Sequence, residues 1–208
     1  RMTQAVAAPD VRPYIIRTYD RWLMLIIVLV VGWLLFRPLF AFSVYFRGLS
    51  YERMFQLETA ERYYRKSTKV DKNVPVGWQG WGELYLMRAP SDRPSANEAV
   101  RIFSTGLDNN PTYAPLAFDL GRTYLAMKDY HNARIAFETS ARLAPSDMFS
   151  WDMAAWASFH EGDRRLALKY WHQVLKIDPG NATARRAIAQ YGAAGNAPRT
   201  SSLSQTSS

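Results

Sequence analysis

Three histidines are the side chains best suited to proton transfer or metal binding near neutral pH. His131, His160 and His172 fall in separate helical or turn stretches with no metal-ligand spacing between them, and no H-E-x-x-H motif occurs. The chain has no cysteine, which removes disulfides and thiolate metal sites. The carboxylate pairs Glu58/Glu61 and Asp147/Asp152 lie at turns or on faces expected to be solvated. Neither a G-x-x-x-x-G-K-[ST] phosphate loop nor a G-x-S-x-G nucleophile elbow is present. These residues point away from catalysis. We expect no enzymatic activity, no cofactor, no metal and no small-molecule substrate, with each histidine a surface or packing residue.

What organises the chain is a repeat. Residues 114–147 place Leu120-Gly121, Tyr124, Ala133, Phe137 and Pro145 at spacings that suit two packed helices. Gly121 lets the pair approach closely, Tyr124 and Phe137 fill the wedge, and Pro145 ends the second helix because it has no N–H to donate. Residues 148–181 repeat the pattern with Trp151, Gly162-Asp163, Ala167, Trp171 and Pro179. Residues 75–113 carry Trp78, Gly82, Tyr85, Ala99, Phe103 and Pro111, with five extra residues assigned to an inter-helix turn at 89–95. Residues 41–74 keep Gly48, Tyr51, Ala60 and Tyr64 but have Lys72 in place of the closing proline. This 34-residue pattern resembles the tetratricopeptide repeat (TPR) family. The resemblance implies an all-α fold, an α-solenoid of four TPR helix pairs, and a binding role. Residues 182–192 read as a capping helix, and 193–208 have the composition of a flexible tail.

The net charge of +8 suggests nucleic acid until it is divided along the chain. Residues 41–181 hold 18 basic and 16 acidic side chains, so the excess sits at the two ends. A balanced solenoid argues against nucleic acid, and basic ends fit a membrane surface.

After a short flank over 1–18, residues 22–36 run through fifteen positions without a charge. A core helix would need a larger domain around it. A signal peptide has an apolar core of similar length, and Ala41-Phe42-Ser43 loosely resembles a cleavage site. We expect instead an uncleaved transmembrane helix over 19–38, with the bilayer as a partner. Fifteen residues rise only about 22 Å against a hydrocarbon core of about 30 Å. The span therefore needs residues 14–16 before it and 39–46 after it. Arg21, Trp22, Trp33 and Arg37 suit the membrane interface. Pro38 is expected to kink the helix where it meets the first repeat, with little or no linker. Arg1, Arg12, Arg17 and Arg21 before the span, against Arg37, Arg47 and Arg53 after it, slightly favour a cytoplasmic N-terminus. The repeats would then be periplasmic in a bacterial inner membrane.

TPR arrays usually bind partners on the concave face formed by the first helix of each unit. The register places Phe42, Tyr45, Leu49, Glu52 and Arg53 there in the first repeat, and Val76, Gln79, Glu83, Leu86 and Met87 in the second. The third supplies Pro115, Phe118, Arg122, Leu125 and Ala126, and the fourth Phe149, Asp152, Trp156, Phe159 and His160. The Lys/Asn/Arg carboxylate clamp of chaperone-binding TPR domains is missing. The groove suits an apolar helix or extended peptide. The alternative is that these side chains pack between neighbouring helices. Membrane-tethered TPR proteins of this layout serve in secretion or pilus assembly, cytochrome maturation and polysaccharide export. The resemblance thus implies a scaffold for a multiprotein envelope complex, or alternatively a receptor whose cytosolic repeats dock client segments.

Overall fold

A computed structural model describes residues 12–192; the expected tail at 193–208 and the first eleven residues of the flank lie outside them. The described residues are all-α. Helix α1 spans Arg12–Arg53, and α2 (Leu57–Val70) folds back against its second half. Then come α3 (Pro75–Leu86), α4 (Arg93–Asn109), α5 (Ala114–Ala126), α6 (Tyr130–Leu143), α7 (Met148–Glu161), α8 (Arg164–Ile177) and α9 (Ala182–Gly192). Each helix packs on its sequence neighbours, and α3 also touches α1 and α5, the order of contacts that an α-solenoid produces.

Helix pairs close where a small residue meets a ring. A Cβ added at Gly82 would lie 2.3 Å from the Phe103 ring, and one at Gly121 would lie 2.7 Å from Phe137. Both rings are fully buried. Aspartates start the second helices of the last three units: Asp92, Asp129 and Asp163 accept from the backbone N–H groups of Ser95, Asn132 and Leu166. Such a cap contributes about 1 kcal/mol.

Two local expectations change. The turn assigned to 89–95 is shorter, because Asp92 caps α4 and Arg93, Pro94 and Ser95 form its first turn. Pro94 is tolerated there, where an N–H would have no helical partner. Lys72 stands where the closing proline falls, and its carbonyl takes the same bond that Pro145 takes in the third unit. The Trp78 indole N–H donates to Lys72 O at 2.9 Å, as the Trp151 indole does to Pro145 O at 3.2 Å. Pro38 lies inside α1, which runs from the apolar stretch into the first repeat with no linker between them.

Helix α1 is long and apolar enough to cross a membrane, and its apolar stretch is not buried against the rest of the chain. Arg21, Trp22 and Trp33 are exposed. Residues 39–46, expected to lengthen the span, are divided by face. Leu39, Phe40 and Phe46 are exposed, whereas Ala41 and Val44 are buried. Arg37 is not left to snorkel alone: its guanidinium donates to Asp71 at 2.8 Å.

Candidate functional site

The positions expected on the concave face lie on the first helices of the four units, the second half of α1, then α3, α5 and α7. Their middle is polar. Gln79 on α3 donates to Asp119 Oδ2 at 3.0 Å and accepts from the Tyr113 hydroxyl at 3.1 Å. Asp119 is buried, and its other oxygen accepts from Arg122 Nη1 at 2.9 Å. Burial pushes the Asp119 carboxyl up, while Arg122 and Gln79 pull it back. One turn beyond Gln79 stands Glu83, whose carboxyl is pushed up to about 6 by burial and by repulsion from Asp119 and Glu52. Glu52, on α1, accepts from the buried Tyr64 hydroxyl. Three carboxylates therefore share this face with Arg122, whose guanidinium is already engaged by Asp119.

Two cavities lie along these helices. One, of about 470 Å³, is bounded by Glu52, Glu83, Leu86, Met87, Pro90 and Arg122. The other, of about 460 Å³, is mostly apolar and includes Pro115, Phe118, Asp119, Ala144 and Phe149 in its walls. Both touch α3 and α5, so they are neighbouring compartments of the same face.

The expected groove residues divide. Met87, at 58% exposed, and Trp156, at 47%, are open, as are Phe149, Arg122 and Phe42. Gln79, Glu83 and Phe118 line the cavities while half-buried. Tyr45 and Leu125 are half-buried against the cores, and Leu86 is buried. Tyr45 packs 5.5 Å from the Tyr64 ring, and Phe118 meets Phe137 edge-on at 5.3 Å. Phe159 is covered, its ring 4.3 Å from Tyr191 on α9.

Asp152 is not solvated as expected. It is half-buried, accepts the Trp171 indole N–H at 3.0 Å, and is pushed up by burial. Asp119, Tyr113 and Pro90 were absent from the expected set. Asp119 carried a sequence signal, an acid set among apolar residues on a helix otherwise committed to packing.

The histidines stand apart. His131 Nδ1 lies 2.7 Å from Glu161 Oε1, His160 packs 3.8 Å from Trp156, and His172 is exposed. Among the described residues no group of three or more potential ligands stands close enough to hold a metal ion.

Stacked helix pairs with ring-on-glycine closure and a concave face define a helical-repeat protein. The sequence profile of the tetratricopeptide repeat matches residues 43–74 and 114–147. The chain thus carries tetratricopeptide repeats at these residues, within a solenoid whose fold is that of solved tetratricopeptide repeat structures. It is 28% identical over 144 residues to the Arabidopsis thaliana protein CTR9 homolog, covering 66% of this chain and 12% of that relative's length. The fold resembles the crystal structure of MamA, with a TM-score of 0.60 at 18% identity over 71% of this chain and 84% of that one. It also resembles YrrB, described as a TPR protein with an unusual peptide-binding site, with a TM-score of 0.60 at 20% identity over 74% and 77% of the two chains.

Proposed function

We propose that this chain is a non-enzymatic, membrane-anchored scaffold that holds a partner protein along its concave face during assembly of a multiprotein envelope complex. The carrying observation is α1, an exposed apolar helix that enters the first repeat without a linker. A solenoid attached this way cannot tumble freely, so its groove is presented at a fixed height above the bilayer. Leu86 and Met87 offer an apolar floor beside Glu83 and Glu52, and Phe118 and Phe149 continue it. The occupant that fits is a peptide segment with apolar anchors and a cation facing Glu83. Peptide binding by the similarly folded YrrB supports a protein partner. Nucleic acid fits poorly against the carboxylates of this face.

The slight arginine bias before the span favours repeats outside the cytoplasm. The second reading, a receptor with cytosolic repeats that docks client segments, is favoured by a different observation. Helix α2 carries Lys66 and Lys69 back beside the end of the apolar stretch, and membrane-proximal lysines favour the cytoplasmic side. Two readouts test these readings. The full chain should resist alkaline carbonate extraction, and detergent co-purification should recover a partner that is lost when Phe118 and Trp156 are both replaced by Ala. Extraction by carbonate refutes the anchor, and an unaffected partner refutes the groove. Protease protection of the C-terminus separates the two orientations.

A further inference from the structure

We infer that the C-terminal end of α2 is a docking surface for anionic lipid headgroups, so that the first repeat lies against the membrane that α1 crosses. The inference rests on the anchor proposed above. Two hydrogen bonds pin the C-terminal end of α2 to α1: Ser67 Oγ donates to Ala41 O at 2.9 Å, and the Arg37 guanidinium donates to Asp71 at 2.8 Å. The charge-free stretch of α1 ends at Arg37, and α2 already covers Ala41 and Val44 beyond it, so the hydrocarbon boundary lies near Arg37, short of residue 46, and therefore near Asp71. Helix α2 cannot go deeper, because its last turns are charged and a lysine in the bilayer interior is costly.

The side chains held at that level are basic. Lys66, Lys69 and Lys72 are exposed, and none enters an ion pair among the described residues. Lys69 stands about 3 Å along the helix axis from Asp71 and Lys66 about 7.5 Å, both inside a Debye length of about 8 Å. Above them, Arg62 and Arg65 complete a shallow cleft of about 340 Å³ lined by Arg62, Arg65, Lys66 and Lys69. The nearby acids do not neutralise this end. Asp71 is engaged by Arg37, and Glu61 sits higher on the helix, shared by Tyr85 and Arg65. Lys69 and Lys66, the walls of this cleft nearest the membrane, are held at headgroup height and fit phosphate-bearing lipid, with Arg62 and Arg65 continuing the basic face above them. A basic residue at an anionic surface strengthens contact by about fivefold.

The test uses the full chain reconstituted into phosphatidylcholine vesicles, with and without phosphatidylglycerol. Water-soluble amine labelling is read by mass spectrometry at each lysine. With phosphatidylglycerol at low salt, labelling of Lys66, Lys69 and Lys72 should fall about fivefold or more and recover at high salt. Lys128 and Lys169, on other edges of the solenoid, should not change. In the Lys66→Gln/Lys69→Gln variant, whose exposed positions leave the fold intact, Lys72 should lose its protection. Equal labelling in both vesicle types, in a chain that resists carbonate extraction, overturns this docking surface and leaves the anchor standing. A chain extracted by carbonate overturns both. Protection in neutral vesicles on adding duplex DNA would assign the cleft to nucleic acid and overturn it as well.

Discussion

Replacing Glu83 by Gln should stabilise the fold at neutral pH while weakening the groove. The Glu83 carboxyl is pushed from its ordinary 4.5 to about 6 by burial, Asp119 and Glu52. An acid with a raised folded-state value binds more protons folded than unfolded between those two pH values. Stability therefore rises as pH falls through that window, and above about 6 the ionised carboxylate is a standing cost. The shift corresponds to about 2 kcal/mol, reduced to about 1 kcal/mol because Glu83 is partly solvated. Glu83→Gln keeps the shape and removes the charge, so Tm at pH 7.5 should rise by about 2–4 °C. At pH 4.5 and below the gain should vanish, since the native carboxyl is then protonated. Circular-dichroism melts of the full chain in detergent at both pH values measure this. A lower Tm at pH 7.5, or an equal gain at both pH values, would refute the electrostatic reading of the concave face. Reduced partner retention alongside the higher Tm would show stability exchanged for binding.

Other perturbations read the packing and the anchor. Gly121→Leu should destabilise by about 1–3 kcal/mol through overpacking against Phe137, and Phe137→Ala by about 3–5 kcal/mol; unchanged melts in both would undo the repeat register. Arg134→Ala should cost about 1–3 kcal/mol, because Arg134 holds Glu138 and Glu161 at 2.6 Å each and is only 16% exposed in its side chain; a neutral result would return it to the solvated surface. Lys128 sits at φ 60° in the α5–α6 turn, where the fourth repeat has Gly162 at φ 99°. Lys128→Gly should therefore stabilise by up to about 1 kcal/mol, and a lower Tm would show that its side chain is needed. Removing residues 1–38 should give a soluble chain of undiminished repeat helicity, and an aggregated fragment with lost helicity would place 39–46 in the membrane.

The repeat pattern was legible because ring and glycine positions recur at a fixed offset, as at Gly48/Tyr64 and Gly121/Phe137, with Gly82/Phe103 spaced wider by the five extra residues of its turn. Helix starts were legible too, and the Asp92-Arg93-Pro94 sequence carried the cap that the expected turn overlooked. Side-chain partners across repeats were not. The i, i+4 spacing of Arg134 and Glu138 shows that they can pair, but not that Glu161 from the end of α7 and the Tyr170 hydroxyl close on them. Asp152 read as a solvated acid, yet Trp171 nineteen residues later holds it. Such pairings depend on how one helix pair stacks on the next, which local spacing does not encode. The same holds for Phe159, read as a groove anchor and covered by Tyr191 of the cap. The Lys72 carbonyl was invisible for another reason: side-chain identity carries no information about a backbone acceptor.

The central claim is that a protein partner lies along the concave face. Site-specific photocrosslinking tests it directly, with a benzoylphenylalanine placed singly at Phe118, Trp156, Arg142 or Lys169 in the full chain within cells. Positions 118 and 156 belong to α5 and α7, whereas 142 and 169 are exposed on α6 and α8. The account predicts polypeptide adducts from 118 and 156 and none from 142 or 169. Adducts confined to 142 and 169, or absent from all four, would contradict it and make this solenoid a structural rib with an unoccupied groove.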